Sequence, residues 1–201
     1  DCIPDMSVAK NILTVGAVKD LPEGYQGDPD DVDMTSFSSW GPADDGRIKP
    51  DITANGASLY STSADTNFSY TYMSGTSMAA PSVTGSLLLL QEHYNETFDE
   101  FMKAATLKAL AIHTADEAGD SDGPDYEYGW GLLNTKSAAD VISSRDETSL
   151  IKEDALTQAS TYTVDVVPQN DEQLVVTLVW ADVPGSPVSP QLDPTTPMLV
   201  N

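Results

Sequence analysis

From Ser77 to about Tyr94 the chain is apolar on nearly every side. Val83, Leu87, Leu88, Leu89 and Leu90 leave almost no polar stripe, which predicts one helix buried by structure around it. Asn134 is a candidate N-cap for a short helix over Thr135–Ser143. Beyond residue 146 the pattern changes. Residues 147–160 are polar and acidic and read as a linker. Tyr162, Val164 and Val166 then alternate with Thr163 and Asp165, and Leu174–Trp180 is rich in β-branched residues; both stretches predict strands. A loop loaded with Pro, Ser and Asp follows, and Met198–Val200 is a third candidate strand. Three strands are too few for an independent β domain of ordinary size, so residues 161–201 are expected to open a larger one.

Charge narrows the partners. Lys and Arg total 9 against 32 Asp and Glu, a net charge of −23, which excludes nucleic acid and anionic membrane surfaces as partners. No apolar run is long enough to cross a bilayer. Cys2 is the only cysteine, so no internal disulfide is expected, and it reads as a small buried hydrophobe.

The chemistry concentrates at Gly75-Thr76-Ser77-Met78-Ala79-Ala80-Pro81. Ser77 falls where a turn enters the long helix, and Gly75 lets main chain pass close to a ligand there. Pro81 is placed in the first turn, whose N–H groups have no internal partner. The N–H of Ser77 then points along the positive end of the helix. A hydroxyl beside a free N–H donor suits acyl transfer. The plain alternative is a serine N-cap on a core helix. A lipase or esterase elbow would need Gly-x-Ser-x-Gly, and Ala79 stands two residues after Ser77.

The seven-residue string resembles the nucleophile motif of the subtilisin-like serine proteases, and four further segments are similar to that family in the same order. Ala9–Val18 resembles a buried strand ending in a Val-Gly-Ala turn. Phe37–Asp51 resembles the segment crossing toward the cleft. Thr106–Ala115 is similar to a helix behind the nucleophile helix, and Tyr128–Asn134 to the last strand of the catalytic domain. Ala54-Asn55-Gly56 departs from the family's Ala-Pro-Gly, with only a local change expected because Asn also suits tight turns.

The resemblance implies an α/β fold: a three-layer catalytic domain with a mostly parallel sheet, of which residues 1–146 are the C-terminal portion, followed by the start of a β-sandwich. It implies a secreted serine endopeptidase, monomeric when complete, that acts on polypeptides. Ser77 would be the nucleophile and backbone oxyanion donor, and Gly75 and Thr76 would contact substrate. The triad's Asp and His, and the oxyanion Asn, would lie upstream of this sequence. Both histidines follow Ser77, and His93 is roughly 24 Å away along the helix. In a subtilisin, loss of the catalytic His costs on the order of a million-fold in turnover. These 201 residues alone are therefore expected to be inactive. The rival within the family is a catalytically dead member serving as a binding or structural module.

Two acidic loops invite calcium, which takes carboxylate and carbonyl oxygens. Asp28, Asp30, Asp31 and Asp33 form the first; Asp120, Asp122 and Asp125, around Gly123, form the second and better candidate. Neither has the EF-hand pattern, and solvated surface is the plain reading.

Overall fold

The computed structural model describes residues 3–167 and 173–181. Two short parallel strands, β1 (Val15–Val18) and β2 (Ile52–Asn55), pair with Val15 opposite Ile52 and Val18 opposite Asn55. The Val-Gly-Ala stretch lies inside β1 and is no turn. A Cβ on Gly16 would sit 3.0 Å from Pro50 and 3.1 Å from Thr53, so this strand needs glycine where its neighbour crosses closely. Leu132 adds a parallel bridge beside β2: Thr53 N–H donates to Gly131 O at 2.9 Å, and Leu133 N–H donates to Thr53 O at 3.0 Å. The similarity of Tyr128–Asn134 to a last strand thus survives as a one-bridge extension of the sheet.

An antiparallel hairpin follows, β3 (Leu59–Thr62) and β4 (Tyr70–Met73), leading directly into α1 (Thr76–Phe98). Helices α2 (Ala104–His113) and α3 (Thr135–Ser143) follow, and Asp5–Val8 and Pro29–Asp31 form short 3-10 turns. Asn134 caps α3 as its sequence suggests, accepting from Ser137 N–H at 2.8 Å.

Strand alternation sorts the core. Ala17, Ile52 and Ala54 pack with Ala79 and Val83 of α1 and Ala111 of α2. Val18 enters a separate cluster with Val32 and Ala118, so loops cover that side of the sheet. Among the described residues the layered arrangement is a short sheet with helices on one face. Farther along, Leu90 and Tyr94 of α1 bury against Leu110, Ala138 and Ile142.

The expectation that α1 is buried all round is corrected. Val83 and Leu90 are buried, but Leu88 is 69% exposed and Leu89 61%. The helix packs on the sheet with one side only, although both sides are apolar.

Beneath the sheet lies a charged cluster. Asp51 Oδ2 binds Lys49 Nζ at 2.5 Å and the Thr14 N–H at 2.6 Å, while its Oδ1 binds Lys108 Nζ of α2 at 2.7 Å. Lys49 and Asp51 are almost wholly buried. Burial foremost, and then repulsion from Lys108, hold the Lys49 ammonium below the usual lysine range despite the pull of Asp51.

Past α3 the chain turns back onto α2. Glu153 accepts from the Lys103 N–H at 2.7 Å and from the Thr106 hydroxyl, capping a helix whose own N-cap residue makes no side-chain capping bond. At the other end of α2, His113 Nδ1 is 2.9 Å from Thr177 Oγ1. The stretches 161–167 and 173–181 carry no ladder pairing among the described residues. Cys2 and the candidate strand Met198–Val200 lie outside the described residues.

Candidate functional site

Ser77 is exposed at the second position of α1. The N-cap is Gly75, so the plain reading of Ser77 as a capping residue does not hold. Gly75 has φ +153°, a conformation L side chains rarely adopt. A Cβ there would meet only ordinary contacts, 3.5 Å from the Met78 sulfur, so conformation rather than space requires the glycine. The Gly75 carbonyl accepts from Met78 N–H at 2.9 Å and from Ala79 N–H at 3.3 Å. The Ser77 N–H precedes the first intrahelical donors and lies at the positive end of a 23-residue helix.

Pro81 is the sixth helical residue, one turn deeper than expected. Its missing N–H deprives the Ser77 carbonyl of its i+4 donor. The ring packs at the cleft, where the helix face is turned to open space.

A cleft of about 360 Å³ is lined by Ser77, Met78, Pro81 and Ser82 from α1 and by Leu59, Ser61, Thr62, Thr71 and Met73 from the hairpin. Hydroxyl, N–H and a hairpin wall are thus in one place. Gly75 holds the turn behind Ser77. Thr76 opens the helix beside it, and neither Gly75 nor Thr76 lines the cleft itself. The family resemblance implies a substrate-side strand either just before the nucleophile turn or outside this sequence, and β4 stands just before that turn; its pairing with β3 as a hairpin was not read from the sequence. Its only signal is the alternation Leu59-Tyr60-Ser61 and Tyr70-Thr71-Tyr72-Met73, too short to stand out.

The turn is supported from β2. Gly75 N–H donates to Gly56 O at 2.8 Å, and Gly56 N–H donates to Val18 O at 3.0 Å. Asn55, standing before that glycine, accepts from Ala57 N–H at 2.9 Å through its side-chain oxygen and donates to Asp20 at 2.8 Å. An Asn side chain therefore closes the turn by its own hydrogen bonds, the local change expected.

Neither histidine approaches Ser77. His93 Nε2 pairs with Ser143 Oγ at 2.9 Å, and His113 is held by Thr177. The acidic loops bind their own backbone: Asp125 Oδ1 accepts from Glu127 and Tyr128 N–H at 2.8 and 2.7 Å, and Asp28 accepts from Asp30 N–H at 3.1 Å. Among the described residues no three His, Cys, Asp or Glu side chains converge as metal ligands. No described helix is long and apolar enough to cross a membrane.

Comparison with known proteins bears on this geometry. The C5a peptidase of Streptococcus pyogenes is 35% identical over 126 residues, covering 58% of this chain and 11% of that protein. The PII-type proteinase of Lactococcus lactis subsp. cremoris is 34% identical over 130 residues, covering 57% of this chain and 7% of that protein. The chain thus spans about a tenth of the length of these curated relatives. Among solved structures, the CspB protease of Clostridium perfringens matches with TM-score 0.55 and 26% identity over 67% of this chain and 27% of that one. The patellamide maturation protease PatA, 24% identical with TM-score 0.50 over 67% of this chain and 44% of its own, shares the fold. The profile of the Subtilase family matches residues 3–131, a span that holds the sheet, the hairpin and the whole turn presenting Ser77. By that match the chain belongs to the subtilase family.

Proposed function

We propose that the protein is a serine endopeptidase that cleaves polypeptides through an acyl-enzyme on Ser77. One observation carries the reading: an exposed Ser77 at the start of a long helix, behind a glycine turn, opens onto a cleft walled by the β3–β4 hairpin. The hydroxyl attacks a peptide carbonyl while a base takes its proton. The Ser77 N–H then meets the oxyanion, and the leaving amine receives the proton. Water repeats the sequence to free the acyl group. A substrate in extended form fits between β3–β4 and the first turn of α1.

The base, its Asp partner and a second oxyanion donor are supplied by sequence outside these 201 residues, because His93 and His113 are both committed elsewhere. Gly75 and Thr76 serve substrate by fixing the turn. Residues 161–201 are read as the opening of a β-sandwich domain that follows the catalytic portion. A secreted, monomeric protein fits the resemblance and the −23 charge, which favours solubility.

The test is casein hydrolysis by the complete protein and its Ser77→Ala variant. Loss of nearly all activity supports the reading. A variant cleaving at the unsubstituted rate contradicts it, and a complete protein that never cleaves returns the catalytically dead module.

A further inference from the structure

Strand alternation gives the hairpin two faces. Leu59, Ser61, Thr71 and Met73 line the cleft, joined at the strand end by Thr62, and Tyr60, Tyr70 and Tyr72 occupy the other side. Tyr60 sits opposite Tyr72 with ring centroids 4.8 Å apart, and diagonally from Tyr70 with centroids 5.5 Å apart at 25°. Cross-strand ring contact of this kind stabilises a two-stranded ribbon. It leaves most of each ring uncovered, however: the three tyrosines are 57–69% exposed.

We propose that this tyrosine face is an exosite that docks lysine- and arginine-rich segments of polypeptide. The proposal rests on the peptidase reading above for the identity of that polypeptide as substrate.

Charge selects the occupant. Between Ala57 and Ser74 the single charged residue is Asp65, and there is no Lys or Arg. The chain as a whole carries 32 acidic against 9 basic side chains. Its field draws cations and repels anionic polymers. Aromatic faces are negative at their centres and attract ammonium and guanidinium groups. Three adjacent rings along one ribbon therefore offer successive cations a platform. The cleft lies on the reverse side of the same four-residue strands, so a chain bound in it has a short path around the ribbon to the rings.

The experiment uses the complete protein carrying Ser77→Ala, so that the ligand survives. Binding of a fluorescein-labelled octalysine peptide is followed by anisotropy, with a glycine-serine octapeptide as control. The Tyr60→Phe/Tyr72→Phe pair keeps the rings and should bind octalysine within about twofold of the parent. The Tyr60→Leu/Tyr72→Leu pair keeps apolar bulk and removes the ring faces. It should bind on the order of five- to tenfold more weakly, as two exposed cation–π contacts would give. Tyr72→Leu alone, should the pair misfold, should lose about half that factor. Undiminished binding by the leucine variants overturns the proposal. Equal loss in the phenylalanine pair, or equal binding of the glycine-serine peptide, overturns it as well. Fluorophosphonate labelling of the protein with Ser77 intact separates the two readings. Labelling without octalysine binding removes the exosite alone, and binding without labelling removes the peptidase alone.

Discussion

The main chain of Gly75 hangs from that of Gly56: its N–H donates to the Gly56 carbonyl at 2.8 Å. The contact joins the end of β2, in the buried sheet, to the turn that presents Ser77. It also leaves no room on Gly56. A Cβ there would fall 2.5 Å from the Ala17 Cβ and 2.8 Å from the Gly75 carbonyl oxygen. Neither neighbour is a flexible side-chain end, so main chain must move.

Gly56→Ala should therefore act on catalysis through position. A displacement of about 1 Å at the reacting group costs on the order of a hundredfold. We expect kcat/KM of the complete protein on peptide substrates to fall by about that factor. Overpacking should lower its stability by about 1–3 kcal/mol. Steady-state kinetics and thermal melting check both, and an unchanged kcat/KM would mean that the turn is not held through Gly56.

The cluster at Asp51 predicts a larger loss of stability with no direct role in chemistry. Asp51 is the shared counter-ion of Lys49 and Lys108 and also accepts the Thr14 N–H. Asp51→Ala leaves buried Lys49 uncompensated, and breaking such a pair costs about 3–5 kcal/mol. Denaturant titration of the complete protein should show that fall. A loss under about 1 kcal/mol would mean that water enters the cluster freely.

Glu153 gives a pH signature. Burial raises its carboxyl, but the Thr106 hydroxyl, the Lys103 N–H and the Lys103 charge outweigh that and hold it below the usual glutamate range. A carboxyl depressed by folding stabilises fully above its unfolded pKa, about 4.3, and loses that contribution as pH falls through its folded value. Glu153→Ala should cost about 1 kcal/mol at neutral pH, the size of a lost helix cap. The two proteins should converge in acid. Melting at pH 7 and pH 3 checks this, and a gap that widens in acid contradicts the clamp on α2.

Met78 lines the cleft one residue after Ser77. A sulfoxide there sets a polar group beside the attacking oxygen. Peroxide should partly inactivate the complete enzyme, and Met78→Ala should largely protect it. Equal sensitivity would transfer the lesion to Met73, which is 53% exposed in the same cleft.

What could be read in the sequence was what local pattern encodes. The long apolar run became α1, and Asn134 capped α3 as its side chain allows. Gly-Thr-Ser placed Ser77 at a helix start because one short segment holds both glycine and helix. Contacts across the chain could not be read that way. Lys108 reaches Asp51 from 57 positions away, and Leu132 reaches Thr53 only once the chain is folded. A strand before the nucleophile turn came only from the resemblance, and its pairing with β3 was not legible, because four-residue strands mixing Tyr, Ser and Thr give little periodicity. Pro81 was placed a turn too early: with Gly75 as cap it is the sixth helical residue, and even a helix starting at Ser77 would put it fifth, past the first turn.

The central claim is that Ser77 is the nucleophile, and mapping its covalent adduct tests it most directly. The complete protein is treated with a fluorophosphonate probe and digested, and the modified residue is located by mass spectrometry. The account predicts a single adduct on Ser77, absent after Ser77→Ala and nearly absent in the isolated 201-residue chain, whose two histidines are bonded to Ser143 and Thr177. An active complete protein whose adduct lies on another serine, or that forms none, would contradict it.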